Sequence, residues 1–245
     1  MLELKNVTKS YNGRRVLDIP SLCLERGEVI GLFGENGAGK TTMMKSILGL
    51  ISFGGEITLD GEKIGRKNIE KLSFATSEHS FFPGLSIRGH REFYEDYFPT
   101  FNKKRFDALT EFFALPLDKK LRHFSQGQKN QFEVIAALSQ GADFILMDEP
   151  FAGNDIFNRE DFYKVLSGIL EPNETIFLST HLIKEVENFI SRAVILQKGK
   201  VASDIPTSRL DDMGESLVGH IKKTCGYEPY RVSLTLDKLS GKDGE

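Results

Sequence analysis

Gly34-Glu35-Asn36-Gly37-Ala38-Gly39-Lys40-Thr41-Thr42 satisfies the pattern G-x-x-x-x-G-K-[ST] at every fixed position. Its chemistry is phosphate binding, and it predicts a nucleoside triphosphate as ligand. Gly34, Gly37 and Gly39 permit sharp backbone turns, so the N–H groups of the stretch, Asn36, Ala38 and Thr42 included, can converge on a phosphate at a helix N-terminus. Lys40 would reach the β- and γ-phosphates, and the Thr41 hydroxyl would hold Mg²⁺. A pair of adjacent carboxylates, Asp148-Glu149, follows the apolar run Phe144-Ile145-Leu146-Met147. Asp148 suits the Mg²⁺ shell, and Glu149 suits a general base that polarises an attacking water. Thr180-His181 follows a second apolar run, Thr175 to Ser179, where an imidazole can hold the γ-phosphate and the water. His79, His90, His123 and His220 lack such a position and read as ordinary polar residues.

These groups need a parallel sheet to bring them together. Glu28 to Phe33 reads as a short strand before the glycine loop, and Thr42 to Leu48 has helical spacing after it. The apolar runs at 144–147 and 175–178 read as buried parallel strands whose C-terminal ends would place Asp148, Glu149 and His181 on one edge. Residues 2–7 alternate apolar and polar, Arg15 to Leu24 is extended, and Gly55 to Gly61 ends in an Asp-Gly turn, so an antiparallel portion is expected beside that core. Tyr11, between the first two of these runs, either stacks on a base or packs on the sheet. Ala193 to Leu196 reads as a last strand, turned by Lys198-Gly199. From Leu85 to about Leu121 the chain is polar-aromatic with helical spacing and a break at Pro99, the mark of an inserted helical subdomain. Its Phe93, Tyr94, Tyr97 and Phe98 serve either as core or as a groove for another protein. Ser125 opens the next helix with Gln128 three residues on, which fits both a capping box and a second phosphate-binding helix start.

Composition narrows the class. The 245 residues suffice for one large α/β unit or a core with a subdomain. Cys23 and Cys225 are too few for a disulfide framework or a zinc site, which suggests a reducing cytoplasm. A net charge of −3 argues against a basic nucleic-acid surface, so no nucleic acid is expected as partner. No apolar run approaches the roughly 20 residues that cross a bilayer, so a membrane role would have to come through a partner.

Taken in order, the pieces resemble the nucleotide-binding subunit of an ATP-binding cassette transporter over about residues 2 to 203. The resemblance rests on Gly34 to Thr42, Phe124-Ser125-Gln126-Gly127-Gln128 as the signature loop, Leu146 to Pro150 and Leu178 to Leu182. It implies an α/β fold with a P-loop NTPase core, an antiparallel β portion and a helical subdomain at about 85–140. It also implies an Mg-dependent ATPase in which Tyr11 stacks on adenine and Asp155 belongs to the loop communicating between subunits. Such subunits meet head to tail, so Ser125, Gly127 and Gln128 would act on ATP held by a second cassette, in a homodimer or heterodimer. Separate transmembrane permease subunits would place the chain on the inner face of the plasma membrane. The signature loop departs from the usual Leu-Ser-Gly-Gly-Gln at Phe124 and Gln126, and Ser77 stands where a glutamine is usual. The segments 77–86 and 180–187 resemble bacterial drug and antimicrobial-peptide exporters. A regulatory switch with slow turnover and a soluble non-transport cassette are the alternatives. Residues 204–245 carry no recognised motif, and their polar end has the composition of a disordered tail.

Overall fold

The computed structural model describes residues 1–150 and 156–226. Alternation in the first stretch produces β1 (Leu2–Tyr11), which pairs antiparallel with β2 (Arg14–Leu24) and β4 (Gly54–Leu59). The short β5 (Glu62–Lys63) completes a four-stranded sheet in the order β2-β1-β4-β5, with Asp60-Gly61 at the turn between β4 and β5. The second sheet is built from β3 (Val29–Phe33), β6 (Leu72–Thr76), β7 (Phe144–Asp148), β8 (Thr175–Ser179), β9 (Arg192–Gln197) and β10 (Lys200–Pro206). Its order is β10-β9-β3-β8-β7-β6, parallel throughout except for β10 at the edge. The expected last strand, Ala193 to Leu196, is therefore the penultimate one. Lys198-Gly199 turns it into β10, whose alternating exposed and half-buried residues mark an edge strand.

Every residue of β7 and β8 is buried because the sheet is covered on both faces. Phe144 and Leu146 point into a cluster with Leu4, Leu17 and Ile19 of the antiparallel sheet and with Met43, Met44 and Ile47 of α1 (Lys40–Ile47). Ile145 and Met147 point the other way, among Phe106, Phe132, Phe162 and Leu166. Each fully buried side chain of this size contributes roughly 1.5–3 kcal/mol, so the two faces hold β7 and the carboxylates at its end firmly.

The aromatic stretch folds as α2 (Ile87–Tyr97) and α3 (Lys103–Phe112), parted at Pro99 as the sequence suggests. Ser86 and Asn102 cap them by accepting from Gly89 N–H and Arg105 N–H. Tyr94 is buried, Phe93 and Phe98 pack on the core, and Tyr97 is exposed, so the stripe serves mainly as core. The helix α4 (Gln126–Ser139) is buried along its second half, and α5 (Ile156–Ile169) packs on the same face of the sheet. A buried Arg105 joins these parts. Its guanidinium donates to Leu138 O at 2.9 Å, Glu174 Oε1 at 2.6 Å and Ile169 O at 2.6 Å. After the short α6 (Ile183–Val186) and the β9–β10 hairpin come α7 (Thr207–Asp212) and α8 (Leu217–Thr224). Leu210, Leu217 and Ile221 join the main core, so residues following 204 pack against the sheet. The polar end beyond Gly226 lies outside the described residues.

Candidate functional site

The glycine loop leaves the C-terminal end of β3 and enters α1. Gly34 (φ 150°) lies so close to Leu196 O that a Cβ would collide with it, and Gly39 (φ 109°) is the left-handed N-cap of α1. Ala38 N–H donates to Glu35 O at 3.1 Å and Ala38 O accepts from Gly199 N–H at 3.0 Å, which fixes the loop against the β9–β10 turn. The first helical bond, Met43 N–H to Gly39 O at 2.8 Å, leaves the preceding N–H groups without partners inside the helix. Lys40 is buried and donates from Nζ to Gly34 O at 2.8 Å and Glu35 O at 3.2 Å. Burial lowers its pKa, and the carboxylates of Glu149 and Asp148 oppose that shift.

The ends of β7 and β8 meet the start of α1 beside this loop. Thr41 Oγ1, at the start of α1, donates to Asp148 Oδ2 at 2.6 Å, and Ser179 Oγ donates to Asp148 Oδ1 at 2.5 Å. Glu149 takes a left-handed conformation (φ 49°), uncommon for a residue with a side chain, and its N–H is held by Ser179 O at 3.1 Å. That turn brings Glu149 Oε1 to 3.1 Å from His181 Nε2. Burial raises the Glu149 pKa, while His181 and Lys40 pull it back. His181 is half exposed and Glu149 about a quarter exposed, so both reach the solvent-facing side of the cleft.

A recess of about 200 Å³ is lined by Asn36, Gly37, Lys40, Thr41, Asp148, Glu149 and His181. A larger cleft of about 680 Å³ adjoins it, lined by Tyr11, Arg14, Arg15, Val16, Ala38, Thr42 and Gln197, with Tyr11 exposed. The shared residues Val16, Asn36, Gly37 and Thr42 make the two continuous. The small recess offers donors for anionic oxygens and a carboxylate able to take a proton; the large one offers a ring face. Among the described residues no three His, Cys, Asp or Glu side chains form a metal cluster. Thr41 Oγ1 and Asp148 Oδ2, 2.6 Å apart, are hard oxygen donors of the kind that suits a hard divalent cation.

The signature-loop residues stand apart. Ser125 Oγ accepts from Gln128 N–H at 3.2 Å and Gln128 Oε1 from Ser125 N–H at 3.1 Å, so the capping box forms in full. Ser125 is exposed, and neither Gly127 nor Gln128 lines the two recesses. Asp155 lies outside the described residues. Ser179, which grips both Asp148 and Glu149, was missed by sequence reasoning; its position at the end of β8, just before Thr180-His181, was the available signal.

The profile of the ABC transporter family matches residues 17–152. The chain belongs to the ABC transporter family. The cassette is 30% identical over 225 residues to "Lipopolysaccharide export system ATP-binding protein LptB" of Haemophilus influenzae, covering 86% of this chain and 93% of that protein. It is 28% identical over 263 aligned residues to "Ribose import ATP-binding protein RbsA" of Caldanaerobacter subterraneus, covering 99% of this chain and 53% of that protein. Among solved structures it superposes on "Dimeric Structure of MJ0796, a Bacterial ABC Transporter Cassette" with TM-score 0.73 and 25% identity, over 84% of this chain and 99% of that one. The cassette is thus an ATP-binding motor subunit of a transporter, with the mixed α/β ABC ATPase fold and no described helix long and apolar enough to cross a membrane.

Proposed function

We propose that this cassette hydrolyses Mg-ATP as one half of a head-to-tail dimer and drives export through separate transmembrane subunits. The observation that carries the reading is the convergence of Lys40, Thr41, Asp148, Glu149 and His181 on one 200 Å³ recess, with Glu149 and His181 3.1 Å apart. Tyr11 stacks on the adenine, and the 34–42 loop with Lys40 binds the phosphates. Thr41 and Asp148 are the residues that would hold Mg²⁺, which when bound neutralises phosphate charge. Glu149 accepts the proton of the attacking water, and burial makes it a stronger base than a solvated carboxylate. His181 orients that water and the γ-phosphate.

Ser125 and Gly127 serve the ATP of the second cassette, which agrees with their place outside this chain's own recesses. Export rests on the resemblance of 77–86 and 180–187 to exporters and on the relative named for lipopolysaccharide export. The transmembrane partner would hold the cassette at the inner face of the plasma membrane.

Mg-ATP hydrolysis measured against protein concentration tests the reading. Turnover per chain rises with concentration, Glu149→Gln lowers it by roughly 10²–10⁴-fold while keeping ATP binding, and Lys40→Ala loses binding. Unchanged turnover in Glu149→Gln removes Glu149 as the base. A chain that binds ATP yet stays monomeric and inactive supports the regulatory switch, which Ser77 and Gln126 favour.

A further inference from the structure

The segment after β6, Ser77 to Ser80, reaches α1 and two places on α4. Glu78 reaches α1, its carboxylate 2.7 and 2.8 Å from Lys45 Nζ. Ser80 reaches the middle of α4, donating from N–H at 2.9 Å and Oγ at 2.6 Å to Glu133 Oε1. Between them His79 turns through a left-handed backbone (φ 60°) and lays its ring on Phe81. This conformation brings its Nε2 to 2.9 Å from Gln126 Nε2 at the start of α4. Gln126, Asn130 and Glu133 are spaced i, i+4, i+7, so they form one stripe along the helix, and Gln126 also donates to Asn130 Oδ1 at 3.3 Å. Gln126 thus fills the position where a glycine of the signature loop would make no side-chain contact at all.

We infer that Gln126 is a positioning residue: through His79 it latches the signature loop to the Ser77–Ser80 segment, and so to the helix of the phosphate loop. The contact sets where Ser125 and Gly127 point when they meet the second cassette's ATP. Their catalytic use rests on the dimer reading proposed above, whereas the latch itself belongs to one chain. Burial lowers the His79 pKa, which keeps the imidazole neutral and able to pair one donor with one acceptor at Gln126.

The experiment uses the full chain with Gln126→Ala, His79→Ala, both together, and His79→Gln, which keeps a polar group in reach of Gln126. Amide hydrogen exchange is followed at 77–80 and 124–128, with kcat and KM for ATP alongside. The latch predicts reciprocal loosening: Gln126→Ala speeds exchange at 77–80, and His79→Ala speeds it at 124–128, each by roughly fivefold, the ratio carried by one ordinary hydrogen bond. The double variant is no faster than either single one, kcat falls with KM unchanged, and His79→Gln restores both readouts. Exchange confined to each variant's own segment, or effects that multiply in the double variant, would overturn the latch. Reciprocal exchange with unchanged kcat overturns its positioning role. If the parent chain turns over no ATP, the motor reading fails separately and the exchange arm decides the latch.

Discussion

Glu133 is the most unusual buried group outside the recess. It is 2% exposed, accepts twice from Ser80, and burial pushes its pKa up to about 7 from an ordinary carboxylate value of 4.5. A carboxyl whose folded pKa exceeds its unfolded one contributes stability that is fully present below about 4.3 and is lost as pH rises through the folded value. Chemical denaturation of the wild-type chain between pH 4.5 and 8 therefore shows a loss on the order of 3 kcal/mol from this group. Glu133→Gln keeps an acceptor for Ser80 and flattens that part of the profile. Parallel profiles for the two proteins would mean that Glu133 titrates like a solvated acid. Glu149 is raised for the same reason but sits between His181 and Lys40, so its charge is stabilised where the chemistry requires it. The sequence announced Glu149 by its place after a buried strand. It gave no sign of Glu133, because a carboxylate in an otherwise helical run reads as a solvated face until the packing is known.

At the scale of elements, the buried parallel strands were legible because both faces are covered and their residues run continuously apolar. The phosphate loop was legible because glycine spacing and a following helix are local properties. Arg105 was not, although it ties α3 to the ends of α4 and α5 and to Glu174 just before β8. Its partners lie 33 to 69 residues away in sequence. Arg105→Met leaves the Glu174 carboxylate, with 8% of its side chain exposed, without its cation, and urea unfolding should register a loss of about 3–5 kcal/mol. A loss below about 1 kcal/mol, the range of exposed pairs, would show that water reaches Glu174 despite the packing.

At the scale of the whole molecule, the cleft proposed for the nucleotide spans the two sheets. The larger cleft takes Tyr11 and Val16 from the antiparallel sheet's strands and Ala38 and Gln197 from the parallel side. A ligand bound only by the folded state stabilises it by mass action, about 2.7 kcal/mol at 100 times its Kd. ATP should therefore raise the unfolding temperature of the chain, and Lys40→Ala should abolish most of that rise. A Lys40→Ala chain stabilised as much as wild type would place the phosphates away from the loop. The residues beyond β9 also belong to this scale. β10, α7 and α8 continue the packed body, and Cys225 O accepts from Gln197, a residue of the cleft wall, at 3.1 Å.

The sequence by itself determined the phosphate loop, the strand-end carboxylates, His181, the break at Pro99 and the capping box of α4, because each depends on a run of neighbouring residue types. Only the tertiary structure decided that Ser179 clamps Asp148 and Glu149, that Tyr94 of the aromatic stripe is buried while Tyr97 is exposed, and that Ser125 lies outside its own chain's recesses. It also decided that Gln126 meets His79. These outcomes depend on which strand lies beside which and on how α4 is rotated against the sheet, properties set by contacts between residues far apart in the chain.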